Sequence, residues 1–253
     1  MLAEKLLARL CKDPSEVPYD DPLDPDKVAK RQVPAEPLAN LEREFPDLER
    51  FVRGKDVLDF GCGFGDQSGE LARKYAARVV GLDSHPGYLA AARARYPAVT
   101  FTNQLHEETF DVIVSQDAME HFDDPQGALA LMRNVLRPGA KVLMHFGPPW
   151  YAPYGAHANF FCPVPWLQLW FSEKTVLTVR RRYRQDGARR YEEVEGGLNQ
   201  MSLAKFERIV KNSGLEVERL KYTGVKQLHF LTKIPGIREF MTNVVTVVLR
   251  APA

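Results

Sequence analysis

Two carboxylates and a run of glycines mark the part of this chain best suited to chemistry. Residues 56–65 read Asp-Val-Leu-Asp-Phe-Gly-Cys-Gly-Phe-Gly. An apolar strand enters a turn with glycines at 61, 63 and 65, and Asp59 stands two residues before the first of them. Glycine lets a backbone approach a ligand where a Cβ would clash. A strand–turn–helix unit of this kind presents a nucleotide-like ligand at the carboxyl ends of parallel strands. Further on, Val79-Val80-Gly81-Leu82 forms another apolar run ending in Asp83. A carboxylate about twenty residues after the glycines can accept hydrogen bonds from both hydroxyls of a ribose.

Three histidines are candidate general bases, because an imidazole titrates near ~6.5. His121 lies in Glu120-His121-Phe-Asp-Asp124-Pro125, His145 in the last half of an apolar strand, and His157 in Tyr154-Gly-Ala-His157. Each also has a structural reading, as a loop cap or a satisfied core residue. His85, His106 and His229 read as peripheral. Glu120 with Asp123 or Asp124 offers oxygen ligands, but without a third convergent ligand no metal is expected. Arg180 to Arg184, with Arg189 and Arg190, form one basic cluster. It reads either as a grip on an anionic substrate group or as a solvated face balanced by Glu192, Glu193 and Glu195.

The run Asp59-Phe-Gly61-Cys-Gly63-Phe-Gly65 resembles the D-x-G-x-G-x-G signature of the class I S-adenosylmethionine-dependent methyltransferases. Glu-His-x-x-Asp-Pro at 120–125 is similar to the segment after the fourth strand of small-molecule members of that family. The resemblance covers residues 55–145 well and 198–250 loosely. It implies S-adenosyl-L-methionine as cofactor. Asp59, Gly61, Cys62, Gly63 and Gly65 would serve its methionine end, and Asp83 with Ser84 its ribose. Members of the family often carry an acid after the third strand for the adenine. Here Asn103 and Gln104 are the amides available, and Ser115 and Gln116 would lie beside the cofactor after the fourth strand. A dinucleotide fingerprint would read G-x-G-x-x-G, and the third glycine here comes one residue early. An NAD-dependent oxidoreductase is therefore the rival reading, beside a non-catalytic cofactor-binding subunit.

The elements that must position these groups alternate in type. Strands are expected at 56–60, 78–83, 98–102, 110–115 and 140–146, with helices at 66–76, 86–95 and 125–136 between them. A helix at 202–213 and strands at 215–223 and 243–249 follow, with an insertion of uncertain shape at 228–241. The fold expected is α/β and Rossmann-like: a doubly wound, seven-stranded, mostly parallel sheet with an antiparallel carboxyl-terminal hairpin. Residues 1–54 form a helical arm: a helix over 1–12 with Leu2, Leu6, Leu7 and Leu10 on one face, an irregular stretch over 13–37, and a helical segment over 38–53 that Pro46 must split. That last segment lies either over the cofactor mouth or against the sheet. Residues 55–146 and 198–253 form the cofactor domain. Residues 147–197, which hold all three tryptophans, break the alternation and read as an aromatic lid inserted over the substrate. Trp150, Tyr151, Tyr154, His157 and Trp166 are its candidate substrate contacts.

The apolar fraction of 45% fits an ordinary globular chain, and a net charge of +1 gives no pull toward nucleic acid or membrane. The three cysteines are odd in number and scattered, which favours a reducing compartment such as the cytoplasm over a disulfide framework. The first ten residues are too charged for a signal peptide or a span. The expected activity is methylation of a small molecule (a sugar, a phenol-like compound or another natural product), at oxygen first, with nitrogen and carbon as alternatives. A homodimer is compatible with everything above.

Overall fold

The computed structural model describes residues 2–19, 21 and 24–253. Residues 1, 20, 22 and 23 of the expected helix and arm lie outside the described residues. Seven strands form one sheet: β1 (Asp56–Phe60), β2 (Arg78–Leu82), β3 (Thr100–Thr102), β4 (Phe110–Gln116), β5 (Leu136–Phe146), β6 (Glu216–Gly224) and β7 (Thr242–Arg250). Their order is β3-β2-β1-β4-β5-β7-β6. Strands β3, β2, β1, β4 and β5 pair in parallel, and β7 runs antiparallel to both β5 and β6. The expected doubly wound sheet and hairpin are present.

Side chains alternate across the sheet into two apolar layers. On one face Leu58, Ile113, Val142 and Met144 pack with Leu129 and Met132 of helix Pro125–Asn134 and with Phe206 and Ile209 of helix Leu203–Ser213. On the other, Val57, Val112, Val114 and Leu143 pack with Leu71 and Tyr75 of helix Asp66–Tyr75. Burial on both faces is why β1 and β4 read as continuous apolar runs rather than alternating ones.

The arm does split at Pro46, into helices Ala39–Glu44 and Leu48–Val52. Leu41, Phe45, Leu48 and Val52 are buried against the sheet, so this segment packs on the core. The first helix, Leu2–Leu10, differs from expectation. Leu7 alone of its leucines is buried, and Leu2, Leu6 and Leu10 face outward. It docks through Leu7 on residues 156–198, which have an apolar cluster of their own around Phe161, Val176, Leu177 and Tyr183. Strand β5 begins four residues earlier than the Arg137-Pro138-Gly139 stop suggested. The helix ends at Asn134, and those residues enter the strand across an irregular register with β4. The insertion at 228–241 consists of short helical turns ending in Arg238–Met241.

Candidate active site

The carboxyl ends of β1, β2 and β4 meet where the strand order reverses, the crevice in which open α/β sheets bind ligands. The turn after β1 is held from two sides. Leu82 O of β2 accepts the Gly61 and Cys62 N–H groups at 2.8 and 3.0 Å. Asp83 Oδ2 accepts the Gly63 N–H at 2.9 Å, while Oδ1 accepts the His85 N–H at 2.8 Å. Each oxygen of Asp83 keeps a lone pair for a ligand. Gly63 has φ +50° and lines the cavity, and no protein atom lies within 4 Å of where its Cβ would stand. A side chain there would fill ligand space and sit in a conformation that L-residues seldom adopt.

This cavity measures about 720 Å³, within the usual range for a small-molecule site. Its walls carry Asp83, Asp117, Asp123, Glu192 and Glu195, and neither a lysine nor an arginine. Such a chamber repels phosphate and suits a ligand bearing positive charge. A second chamber of about 340 Å³ joins it; Tyr88, His121, Glu195, Gly196 and Gly197 line both.

The expected site residues fall into three groups. Gly61, Gly63, Asp83, Ser84, Asn103 and His121 line the acidic chamber, and His121 with His157 lines the second. Asp59, Cys62, Gly65, Gln104, Ser115 and Gln116 line neither. Asp59 is buried beneath the turn, accepting from Gln67 Nε2 at 2.7 Å and Ser68 Oγ at 2.5 Å. Burial pushes its carboxyl up to about 6 against those two hydrogen bonds, with Asp83 adding to the rise. It ties the first turn of helix Asp66–Tyr75 to β1. The Cys62 side chain turns into an apolar cluster with Phe101, and a Cβ on Gly65 would strike Phe101 and Ala92. Trp150, Tyr151, Tyr154 and Trp166 line neither chamber. Trp150 packs edge-on against Tyr191, Tyr151 contacts Phe240, Tyr154 is 40% exposed, and Trp166 bonds its backbone to Pro153. Residues 147–197 instead reach the chambers through Phe160, Tyr191, Glu192, Glu195, Gly196 and Gly197.

The three histidines differ in kind. His121 Nδ1 lies 2.8 Å from the Gly197 carbonyl. A carbonyl only accepts, so Nδ1 carries a proton, and in the neutral ring the lone pair is on Nε2. Gly197 (φ +67°) makes this approach; a Cβ there would stand 3.2 Å from His121 O. The His157 ring meets His121 edge-on, with centroids 5.3 Å apart. Burial pulls its pKa down to about 4, helped by His121 and opposed by the Pro148 carbonyl, and its Nε2 has no partner. His145 is 3% exposed and lines neither chamber. Its Nδ1 sits 3.5 Å from Asp117, which does line the acidic one. Burial lowers the His145 pKa, and Asp117 partly offsets that. His85, expected at the periphery, lines the chamber and caps helix Pro86–Arg95 by accepting the Gly87 N–H.

Glu120 is buried behind the loop. Its Oε1 accepts the Gly147 N–H at 3.1 Å, Oε2 has no partner, and burial pushes the carboxyl up to about 8. Asp124 is spent capping helix Pro125–Asn134. Among the described residues, no group of three or more His, Cys, Asp and Glu is placed to hold a metal ion. No described helix is long and apolar enough to cross a membrane.

Sequence reasoning missed Asp117, Tyr88, Glu195 and the Gly196-Gly197 pair. The glycine pair after an acidic run was the one visible signal, because φ of +82° and +67° is what glycine permits.

Comparison with known proteins agrees with this geometry. Residues 58–144 match a family model described as a methyltransferase domain. A ubiquinone biosynthesis O-methyltransferase of Hahella chejuensis is 32% identical over 118 residues, 42% of this chain and 49% of that protein. A phosphoethanolamine N-methyltransferase of Triticum aestivum is 35% identical over 112 residues, 40% of this chain and 22% of that one. The chain thus spans half or less of the length of these two relatives. Among solved structures, an S-adenosylmethionine-dependent methyltransferase from Mesorhizobium loti superposes with a TM-score of 0.53 at 20% identity, over 82% of this chain and 97% of the other.

Proposed function

We propose that this chain, whose residues 58–144 match a methyltransferase domain, is an S-adenosylmethionine-dependent enzyme that methylates a hydroxyl of a small molecule, with His121 taking the proton. The acidic chamber fits the cofactor. Gly61 and Gly63 leave room for its methionine end, Asp83 offers two oxygens to the ribose, and the carboxylate walls suit a sulfonium and an ammonium. No lysine or arginine among the lining residues would offset a pyrophosphate against five carboxylates, which counts against the dinucleotide reading. Bound S-adenosylmethionine supplies an activated methyl group, so the protein need only align the acceptor, exclude water and remove a proton.

The observation that carries this reading is the position of His121. It stands where the two chambers meet, with Nδ1–H committed to the Gly197 carbonyl. That bond orients the ring and leaves the Nε2 lone pair for an acceptor hydroxyl. His157, held near 4, binds a proton too weakly to share the task. Its partnerless Nε2 can instead accept a hydrogen bond from substrate. His145 acts through Asp117. Curated relatives include both O- and N-methyltransferases. A hydroxyl is preferred here because it must lose a proton to become an ether, the need that His121 meets.

The test is radiolabelled methyl transfer to a panel of hydroxylated small molecules. His121→Ala should lower kcat by ~10²–10⁴-fold without weakening cofactor affinity, while His157→Gln retains most of kcat and raises KM. Equal rates for wild type and His121→Ala would remove the base.

A further inference from the structure

We infer that the second chamber takes an apolar or aromatic molecule bearing one carboxylate, which seats on the Arg184 guanidinium and the Tyr191 hydroxyl; this rests on the function proposed above. The basic cluster noted in the sequence is divided by the fold. Arg180 pairs with Asp186 at 2.6 Å, Arg190 pairs with Glu192, and Arg181 donates to the Ala188 carbonyl. Arg184 is different. It lines the chamber, and among the described residues no carboxylate is ion-paired with it. Its guanidinium is held between rings, 4.1 Å from the Phe160 centroid and 5.6 Å from that of Tyr19. One of its five N–H groups goes to the Tyr183 carbonyl at 2.9 Å, and among the described residues the other four have no hydrogen-bond partner.

A second buried group points the same way. Tyr191 is 4% exposed and lines the chamber, and its hydroxyl is buried without a hydrogen-bond partner. An orphaned buried hydroxyl costs stability unless something binds it. Arg184 and Tyr191 both lie outside the part shared with the acidic chamber. A ligand reaching from them to His121 crosses walls of Phe160, Phe161, Val176 and Leu198. Charge selects the anion. Asp186 already neutralises Arg180, so among the described residues Arg184 is the guanidinium of the lining without a carboxylate partner, and it can match one negative charge. Glu195, also on the lining, adds a repulsion that weighs twice as heavily on a phosphate dianion as on a carboxylate. The flat guanidinium fork also matches a carboxylate.

The full chain, saturated with S-adenosylhomocysteine, is titrated by calorimetry with a ring-hydroxylated cinnamate, its methyl ester and an aryl phosphate of similar size. The acid should bind about tenfold or more tightly than the ester and more tightly than the phosphate. Arg184→Gln should bring the acid-to-ester ratio near one, Arg184→Lys should keep part of it, and Tyr191→Phe should cost the acid a few-fold. Equal binding of acid and ester by wild type would overturn the inference, whatever the variants do. So would tighter binding of the phosphate, or no acid binding at 10 mM. Cofactor affinity is read separately. A chain that takes up S-adenosylhomocysteine yet ignores the carboxylate refutes this inference alone, whereas one that never binds it refutes the functional reading as well.

Discussion

Asp83 carries two tasks with one carboxylate. It clasps the glycine turn through the Gly63 N–H and fixes the next helix through the His85 N–H, with lone pairs left for a ribose. Asp83→Ala removes the clasp and the ribose acceptor together, so S-adenosylmethionine affinity should fall roughly 100-fold or more, as expected for losing hydrogen bonds to a charged group. Unchanged affinity in calorimetry would refute the assignment. Glu120 makes a different kind of prediction. Its folded carboxyl titrates near 8, above the ordinary carboxylate value of 4.5, because burial disfavours the charge. The folded state therefore holds the proton more tightly than the unfolded state, and stability drains away as pH rises from about 4.5 toward 8. Glu120→Gln stays neutral and keeps the acceptor for Gly147, so its melting temperature should exceed that of wild type at pH 8.5 by about 3 °C or more and match it near pH 5. An equal difference at both values would contradict the burial argument. At this scale the sequence was readable where glycine and acid types are forced by backbone approach, as at Gly63 and Asp83. It was unreadable where a side chain's role depends on packing across the fold. Asp59 read as a ligand contact, and in the fold it braces the next helix and lines neither chamber, while Asp117 became visible only once the end of β4 placed it beside His145.

Among the elements, the segment after the insertion carries the positioning. Asn199 Nδ2 donates to the Met119 and Phe122 carbonyls, both at 2.8 Å, and its N–H donates to the Glu120 carbonyl at 2.9 Å. This ties the Gly196-Gly197 approach to the loop that bears His121. Asn199→Ala leaves two carbonyls short of donors, at a cost of about 1–3 kcal/mol. Because the tie sets the distance from Gly197 O to His121, kcat should fall while cofactor affinity stays within about twofold. A pure loss of stability with normal kcat would assign Asn199 a scaffolding role only. Periodicity and glycine stops located all seven strands and the helices that alternate with them, but not helices Pro25–Lys30, Leu167–Trp170 and Glu173–Arg180, which fall in stretches read as irregular arm and lid. Aromatic density, however, did not indicate which residues of 147–197 line the chambers. Trp150 packs edge-on against the Tyr191 ring, and the first helix buries Leu7 there rather than presenting a leucine face. One-dimensional composition does not separate a lid that packs on itself from one that packs on substrate.

Across the whole molecule, charge sorts the two chambers. The larger has five carboxylates and no lysine or arginine among its lining residues; the smaller joins apolar side chains to Arg180 and Arg184, with Glu195 shared between the two. A near-neutral chain of net charge +1 conceals this separation, which exists only after folding. The roles proposed for Asp83 and His121 therefore depend on which cofactor the acidic chamber accepts. The measurement is calorimetric titration of the purified chain with S-adenosylmethionine and, separately, with NADH. Micromolar binding of S-adenosylmethionine with no detectable binding of NADH is the predicted result. Binding of NADH, or failure to bind S-adenosylmethionine, would contradict the reading of the glycine turn, and the roles of Asp83 and His121 would fall with it.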